Sequence, residues 1–331
     1  MRSHALRRLA MTIPTLLVIS AVIFALLEFA PGDPMAQLPS TIPADVRAEM
    51  REALGLGQSA PVRYGMWLWQ MVVVEPAIAL GALTDGEAPR ILSWQTRGPV
   101  MTLIAQRLPQ TVIVMGSAYV IGVIAAIGLG ILSAGGRGGA IDRAGTGLAA
   151  MGYALPPFFT AAVLIYVFAI QLDWAPTIYD TTLRVTGWDS FAAQLRQMAL
   201  PITVLSLQTT AQITRYMRAA MLDTLGQEYI LAARAKGLRE RTILMVHALR
   251  NSLIPVVPVI ALGAPQIFAG AIITESIFGV NGIGQLLITA LRAGDLPVVQ
   301  TVTVLIAAAI VLANLASDLA LPWLDPRLRD A

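Results

Sequence analysis

Long apolar segments recur along the chain, and each is long enough to cross a lipid bilayer as a helix. The first covers about residues 9–29, and the others cover about 108–134, 143–171, 198–222, 252–278 and 297–321. About 20 apolar residues span the hydrocarbon core, and a helix pairs its own backbone groups there. The sequence therefore predicts an all-α integral membrane protein with six transmembrane helices.

Charged residues are scarce, which supports this class. They make up 13% of the 331 residues, against about 25% in a soluble globular chain. Cysteine is absent and there are two histidines, so we expect neither a disulfide framework nor a histidine-based metal site. The arginines lie between and beside the apolar segments, so the basic excess predicts no nucleic-acid partner.

The chain divides at its longest polar segment. Residues 1–30 hold the N-terminus and the first transmembrane helix, and residues 31–98 form a polar loop or small cap. Residues 99–331 carry the other five helices and a basic loop at 223–251. The basic start also fits a cleaved signal peptide, but the Pro-Gly-Asp-Pro that follows the first helix is not a small-residue cleavage site. We therefore expect this helix to be retained.

The placement of arginine and lysine predicts the orientation. These residues concentrate in the N-terminus, the loop with Arg137 and Arg143, the segment from Arg215 to Arg250, and the tail with Arg327 and Arg329. Short loops rich in them stay in the cytoplasm. Both termini are therefore predicted to be cytoplasmic, and residues 31–98 to be an extracytoplasmic insertion after the first helix.

The sequence lacks common catalytic motifs. A P-loop requires Gly-x-x-x-x-Gly-Lys-Ser/Thr, and no glycine directly precedes the single lysine, Lys236. There is no HExxH and no Gly-x-Ser-x-Gly. Ionisable residues are rare inside the predicted spans, and we interpret Glu275, near a span end, as a satisfied or interfacial carboxylate. The sequence predicts a non-catalytic chain that obtains any transport energy from a partner.

The basic loop has the pattern of a short helix, a turn and a second helix. Glu228 lies in the first turn, where an acidic side chain complements the helix dipole. Good helix formers continue to Lys236, and Gly237 fits the left-handed residue that follows a helix. The second helix is expected to resume near Arg239 and to run into the fifth span.

One stripe of the short helix is narrow. Tyr229, Ala232, Ala233 and Lys236 fall at i, i+3, i+4 and i+7. Because its middle is alanine, another protein can approach the backbone closely. The helix also fits an amphipathic segment that rests on anionic lipid. Periodicity alone leaves docking and lipid resting as equal alternatives.

Several motifs follow one another in the order found in one transporter family. The segment "EYILAARAKGL…HALRNSLIPVV" resembles the cytoplasmic EAA loop of ABC-importer permeases, especially the first permease of the dipeptide/oligopeptide family. The first span with its "APGDP" exit resembles the same family, as do "RLPQT", "GYALPPFF", "ITESIFGVNGIGQLL", "DLPVVQ" and "DPRLR". The resemblance covers most of the chain.

This resemblance implies a six-helix, type I importer-like ABC permease in the bacterial inner membrane. It implies a heterodimer with a second homologous permease, two ATP-binding subunits or one fused ATPase, and an extracytoplasmic substrate-binding protein. The chain itself would bind no cofactor, and the partner subunits would use ATP and magnesium. The expected solute is a peptide, with nickel chelates, glutathione and sugars as alternatives within the family.

The resemblance also implies that the EAA loop seats in a groove on an ATPase. The expected coupling residues are Glu228, Tyr229, Ala232, Ala233, Arg234, Lys236 and Gly237. Leu231 stands where the broader pattern has a glutamate, and Glu228 lies one turn earlier.

Breaks in the spans supply candidates for the pathway and its gate, because kinks are tolerated where protein or water satisfies the backbone. The candidates are Pro156, Pro157, Pro258, Gly263, Gln266, Glu275, Asn281 and Gly282. Asn281 stands where many relatives have proline. A self-contained secondary transporter or channel is the alternative function, and the scarcity of mid-span carboxylates argues against it.

Overall fold

Helices dominate the part of the chain that the computed structural model describes, namely residues 2–29, 57–83, 89–264 and 266–324. In these ranges the only β pairing is an isolated bridge between Leu92 and Pro99. The Pro-Gly-Asp-Pro motif and the "DPRLR" tail lie outside them. The predicted all-α class is confirmed.

The first part of the chain contains α1 (Arg2–Glu28), α2 (Ala60–Trp69) and α3 (Glu75–Ala79). The rest contains α4 (Val100–Gly135), α5 (Ala140–Ala154), α6 (Pro157–Leu164), α7 (Trp188–Leu225), α8 (Glu228–Ala235), α9 (Glu240–Thr242), α10 (Leu249–Gly263), α11 (Gln266–Phe278), α12 (Ile283–Arg292) and α13 (Leu296–Leu324). Short π-helical segments join α2 to α3, extend α6 to Gln171 and join α9 to α10.

Among the described helices, four are long and apolar enough to cross a membrane, or up to six if each of two bent pairs forms one span. One pair joins α5 to α6 and its extension at 109°, and the other joins the end of α11 to α12 at 79°. The first bend follows from Pro156 and Pro157. A residue before proline is pushed out of the helical region, and Leu155 is extended with a ψ of 127°.

The predicted fourth span, 198–222, lies within the longer helix α7, which is not among the helices that length and composition mark as spans. α7 is a continuous 38-residue helix with many glutamines and threonines. Gln197, Thr209 and Thr214 are buried against protein, so packing as well as lipid determines its composition. The predicted fifth span, 252–278, is divided between α10 and α11.

The chain forms two compact units. The first comprises Met1–Leu9, Gln110–Gln285 and Ile310–Ala331, and the second comprises Ala10–Pro109 and Leu286–Ala309.

α7 runs through the core of the first unit. Its N-terminal half contributes Leu200 and Val204 to an apolar cluster that includes Phe278. Its C-terminal half contributes Met217 and Met221 to another apolar cluster. α7 therefore holds together the helices on which the predicted sites lie.

Glycines allow α4 to approach α7 closely. A Cβ atom on Gly122 would lie 2.7 Å from the Cβ of Thr209, and one on Gly130 would lie 2.6 Å from the Cβ of Met217. At such distances only the hydrogen atom of glycine fits. Small residues commonly allow membrane helices to pack closely in this way. These glycines therefore permit close contact between α4 and α7.

Within the second unit, polar contacts hold together parts of the segment that follows α1. Arg90 forms a bidentate ion pair with the buried carboxylate of Glu75, with an Nη2–Oε2 distance of 2.7 Å. The indole nitrogen of Trp67 donates a hydrogen bond of 3.3 Å to the hydroxyl of Thr301. The ion pair joins α3 to the following loop, and the hydrogen bond joins α2 to α13.

Candidate functional site

The basic loop folds as the predicted helix, turn and second helix. α8 begins after Gln227, which is extended with a ψ of 150°, and Glu228 lies in its first turn. The next helix begins after Arg239, and through α9 and its π-helical segment it continues into α10. The predicted restart near Arg239 is confirmed.

Gly237 ends α8 in the predicted way. Its φ is +76°, and the amide of Leu238 donates to the carbonyl of Ala233 at 3.3 Å. The amide of Gly237 donates to the carbonyl of Arg234 at 2.9 Å. These two bonds form a Schellman motif, which requires a left-handed residue at this position.

Ile230 and Ala233 attach α8 to the core of the first unit. Ile230 is fully buried, Ala233 is 7% exposed, and both belong to the apolar cluster that includes Met217 and Ile243. They are three residues apart, so they lie on the same face of the helix. This face determines which side of α8 is free.

The opposite side of α8 is exposed. Tyr229 and Leu231 are 43% and 56% exposed, and Ala232 and Lys236 are exposed as well. Three members of the predicted stripe, Tyr229, Ala232 and Lys236, therefore reach the surface. Ala233 lies beneath that surface, because its side chain faces the core.

Hydrogen bonds and an ion pair fix the ends of the loop. The side-chain amide of Asn251 donates to the hydroxyl of Tyr229 at 2.8 Å. The Nε of Arg234 lies 2.8 Å from the Oε1 of Glu240, across the turn after α8. This hydrogen bond raises the pKa of the Arg234 guanidinium. Both side chains are largely exposed, so the pair contributes under about 1 kcal/mol to stability.

Gly237→Val is expected to lower the free energy of unfolding by about 1–2 kcal/mol, because a β-branched residue is disfavoured at positive φ. Gly237→Asn is expected to cost less, since asparagine enters the left-handed region more readily. Among the described residues, no atom lies within 4 Å of a Cβ placed here, so the cost arises in the backbone. Thermal unfolding of the purified variants tests this order, and equal losses would contradict it.

Four of the predicted pathway residues lie at bends or ends of helices, and a fifth, Pro258, lies inside a continuous helix. Pro156 and Pro157 form the bend between α5 and α6, Pro258 lies inside α10, Gly263 ends α10, and Gln266 begins α11. A Cβ on Gly263 would lie 3.2 Å from the hydroxyl of Tyr119, so this helix end packs closely against α4. Their role in a pathway stays a prediction.

The other three predicted residues meet at the second bend. The carboxylate of Glu275 is 1% exposed and accepts hydrogen bonds from the Thr111 hydroxyl and the Gly284 amide, both at 2.7 Å. It therefore pairs an amide at the start of α12 that has no helical partner. A Cβ on Gly282 would lie 2.3 Å from this carboxyl group, and the preceding residue, Asn281, is half-buried. The interpretation of Glu275 as a satisfied carboxylate is confirmed.

Two polar partners were not predicted from the sequence. Thr111 lies 164 residues from Glu275, and "RLPQT" carries no local sign of that contact. Arg218 donates to both carboxylate oxygens of Asp142, at 2.6 and 2.7 Å, and so links α7 to α5. Within the described part of the chain, no group of three or more metal-ligating side chains occurs.

Two family models match the chain. The one described as "Binding-protein-dependent transport system inner membrane component" matches residues 126–330. Its N-terminal counterpart, "Binding-prot-dependent transport system membrane comp, N-term", matches residues 1–115. The chain belongs to this family of transport-system membrane components. The basic loop and both bends lie within the region matched by the first model.

Relatives of this permease match over its whole length. A putative peptide permease of Brucella suis biovar 1 is 36% identical over 332 residues, which cover 99% of this chain and 99% of the relative. The oligopeptide transport system permease protein AppB of Bacillus subtilis is 34% identical over 330 residues, with the same coverage. The predicted resemblance to importer permeases is confirmed.

A solved transporter has a similar fold. A subunit of the MetNI methionine ABC transporter, in an inward-facing conformation, aligns with a TM-score of 0.56 at 17% identity, over 68% of this chain and 98% of that chain. At this identity the similarity concerns the fold alone. The predicted fold class of an ABC-importer permease is confirmed.

Proposed function

We propose that this permease forms half of the translocation pathway of an ATP-driven importer for peptides. The names of the two full-length relatives described above support the substrate class. The chain would pair with a second homologous permease and receive solute from an extracytoplasmic binding protein. Separate or fused ATPase subunits would use ATP and magnesium, and both termini would face the cytoplasm of a bacterial cell.

One observation supports the proposal that the permease couples to an ATPase through α8. The helix has one exposed side, and its opposite side is buried in the core of the first unit. Ile230 joins α8 to the cluster that contains Met217 of α7. A partner that displaces α8 would therefore also act on α7, because close-packed groups transmit displacement. The small side chain of Ala232 allows the partner to approach the helix.

Exposed apolar side chains on this surface favour the binding of another protein. Leu231, next to Ala232 in the sequence, is 56% exposed, and Leu238, after the turn that ends α8, is 40% exposed. An ATPase groove would remove them from water, and each fully buried leucine contributes about 1.5–3 kcal/mol. Leu231 occupies the place of the usual glutamate, so this surface would bind through apolar contact more than through charge.

Affinity purification of the full chain from its own membranes tests the proposal. We expect a second permease and ATPase subunits to co-purify, and the reconstituted complex to take up labelled peptide only with ATP and magnesium. Purification of the chain alone, with uptake driven by an ion gradient, would establish a secondary transporter instead. ATP-dependent uptake of a sugar or a nickel chelate, without peptide uptake, would refute the substrate class only.

A further inference from the structure

Three helices pack against the C-terminal half of α7. α4 approaches Thr209 and Met217, α5 approaches Ala211 and pairs with Arg218, and α10 bonds to the carbonyl of Ala220. The described neighbours therefore cover three sides of this half of the helix. One face is left largely uncovered, and there α5 contributes the ring of Tyr153 beside Arg215.

The uncovered face is polar. Gln208, Gln212, Arg215 and Tyr216 follow at i, i+4, i+7 and i+8, so they form one stripe. Arg215 and Tyr216 are exposed, and the two glutamines are half-buried. Within the described ranges, neither glutamine side chain has a hydrogen-bond partner.

Arg215 is charged and held in place from one side. Its guanidinium carbon lies 4.5 Å from the ring centre of Tyr153, near the end of α5. No carboxylate of the described residues forms an ion pair with it. Stacking on an aromatic ring fixes the guanidinium and leaves its N–H groups available in the plane of the group.

The preceding part of α7 exposes a different kind of face. Ala199, Thr203 and Leu207 follow at i, i+4 and i+8, and the Thr203 hydroxyl donates to the Ala199 carbonyl at 2.7 Å. This face presents no unpaired donor and suits lipid. Gln208 and Gln212 lie within the predicted span 198–222, where amide groups face a bundle interior or a water-filled cavity, and Arg215 lies near the predicted cytoplasmic end of that span. The exposed side of α7 therefore changes from lipid-compatible to polar at Gln208.

We propose that Gln208, Gln212 and Arg215 line the pathway and bind the transported peptide, and that Arg215 binds its C-terminal carboxylate. The inference rests on the proposed function. Glutamine both donates and accepts, as a peptide main chain does, and guanidinium pairs with carboxylate through two hydrogen bonds. From Gln208 to Arg215 the helix rises about 10 Å, which is the length of about three residues of extended peptide.

Cysteine labelling tests whether water reaches this face. The chain contains no cysteine, so Gln212→Cys and Leu207→Cys each introduce one thiol to this chain. In the reconstituted complex, a membrane-impermeant thiol reagent should modify Cys at 212 at least about tenfold faster than at 207, because the thiolate reacts only where water reaches it. Added peptide should slow labelling at 212. Equal rates, or no protection by peptide, would overturn the inference.

Transport of paired substrates tests the role of Arg215. For a tripeptide with a free C-terminal carboxylate, Arg215→Gln should reduce the initial uptake rate at low substrate about tenfold, the effect of losing one charge-assisted pair. The same tripeptide with a C-terminal amide should be carried equally by both proteins. Arg215→Lys should restore part of the preference, since it retains the charge.

Matched controls separate this inference from the proposed function. Arg143→Gln removes an exposed arginine from α5 and should leave the preference for the free carboxylate unchanged. Absence of ATP-driven peptide uptake by the wild-type complex would refute the proposed function itself. Normal wild-type uptake with an unchanged preference in Arg215→Gln would refute only the role of Arg215. Loss of the second permease from the Arg215→Gln complex would show that the face is a subunit interface, and would also overturn the inference.

Discussion

Ala232→Glu is expected to reduce ATP-dependent uptake at least about tenfold, because an unpaired charge in a protein interface costs several kcal/mol. Position 232 is exposed, so the free energy of unfolding should stay close to that of the wild-type protein. Basal ATP hydrolysis by the partner subunits should persist, while its stimulation by binding protein and peptide should be lost. Uptake, ATPase activity and thermal unfolding of the same preparation provide the three readings.

The neighbouring alanine is the matched control. Ala233 is 7% exposed in the apolar cluster, so Ala233→Glu should lower the free energy of unfolding by about 3 kcal/mol or more. Ala232→Ser should retain both uptake and stability, because it adds no charge. If Ala232→Glu transports at the wild-type rate, the exposed side of α8 is not the coupling surface. If both glutamate variants unfold alike, α8 is not attached as described.

The local structure of the basic loop was predictable, whereas the orientation of α8 was not. An acidic first turn, a run of helix formers and a glycine at 237 determine where α8 begins and ends, and all three are local signals. An eight-residue helix contains too few residues for periodicity to identify its buried side. That side is set by Ile230 and by distant residues such as Met217, so the predicted stripe mixed exposed positions with Ala233.

α7 and the second bend show the same limit for membrane helices. Hydropathy identifies a membrane helix by the apolar residues that contact lipid. Because α7 buries glutamine and threonine against other helices, its composition is less apolar than that of a lipid-exposed helix. The carboxylate of Glu275 was expected to be satisfied, yet its partner Thr111 lies 164 residues away. Contacts between distant segments depend on packing, which spacing along one chain does not encode.

The contact between Glu275 and Gly282 predicts a large and non-additive pair of effects. Glu275→Ala leaves the Thr111 hydroxyl and the Gly284 amide without their acceptor, and each buried unpaired donor costs about 1–3 kcal/mol. Gly282→Ala places a methyl group where the carboxyl group lies, and overpacking of this kind costs about 1–3 kcal/mol. Both single variants should therefore unfold at lower temperature than the wild-type protein.

The double variant distinguishes this contact from two unrelated losses. Once Glu275→Ala has removed the carboxyl group, the methyl group at position 282 meets no carboxylate. In that background Gly282→Ala should lower the free energy of unfolding by less than about 1 kcal/mol. The coupling energy between the two substitutions should then lie within the range of about 0.5–3 kcal/mol that is typical of contacting residues. Gly128→Ala is the matched control, because no described atom lies within 4 Å of its Cβ position and alanine favours a helix over glycine by about 1 kcal/mol. It should therefore preserve or raise stability. If the losses of unfolding free energy add in the double variant, glycine is needed at position 282 for its backbone conformation. The carboxylate of Glu275 would then not be the reason for a glycine at that position.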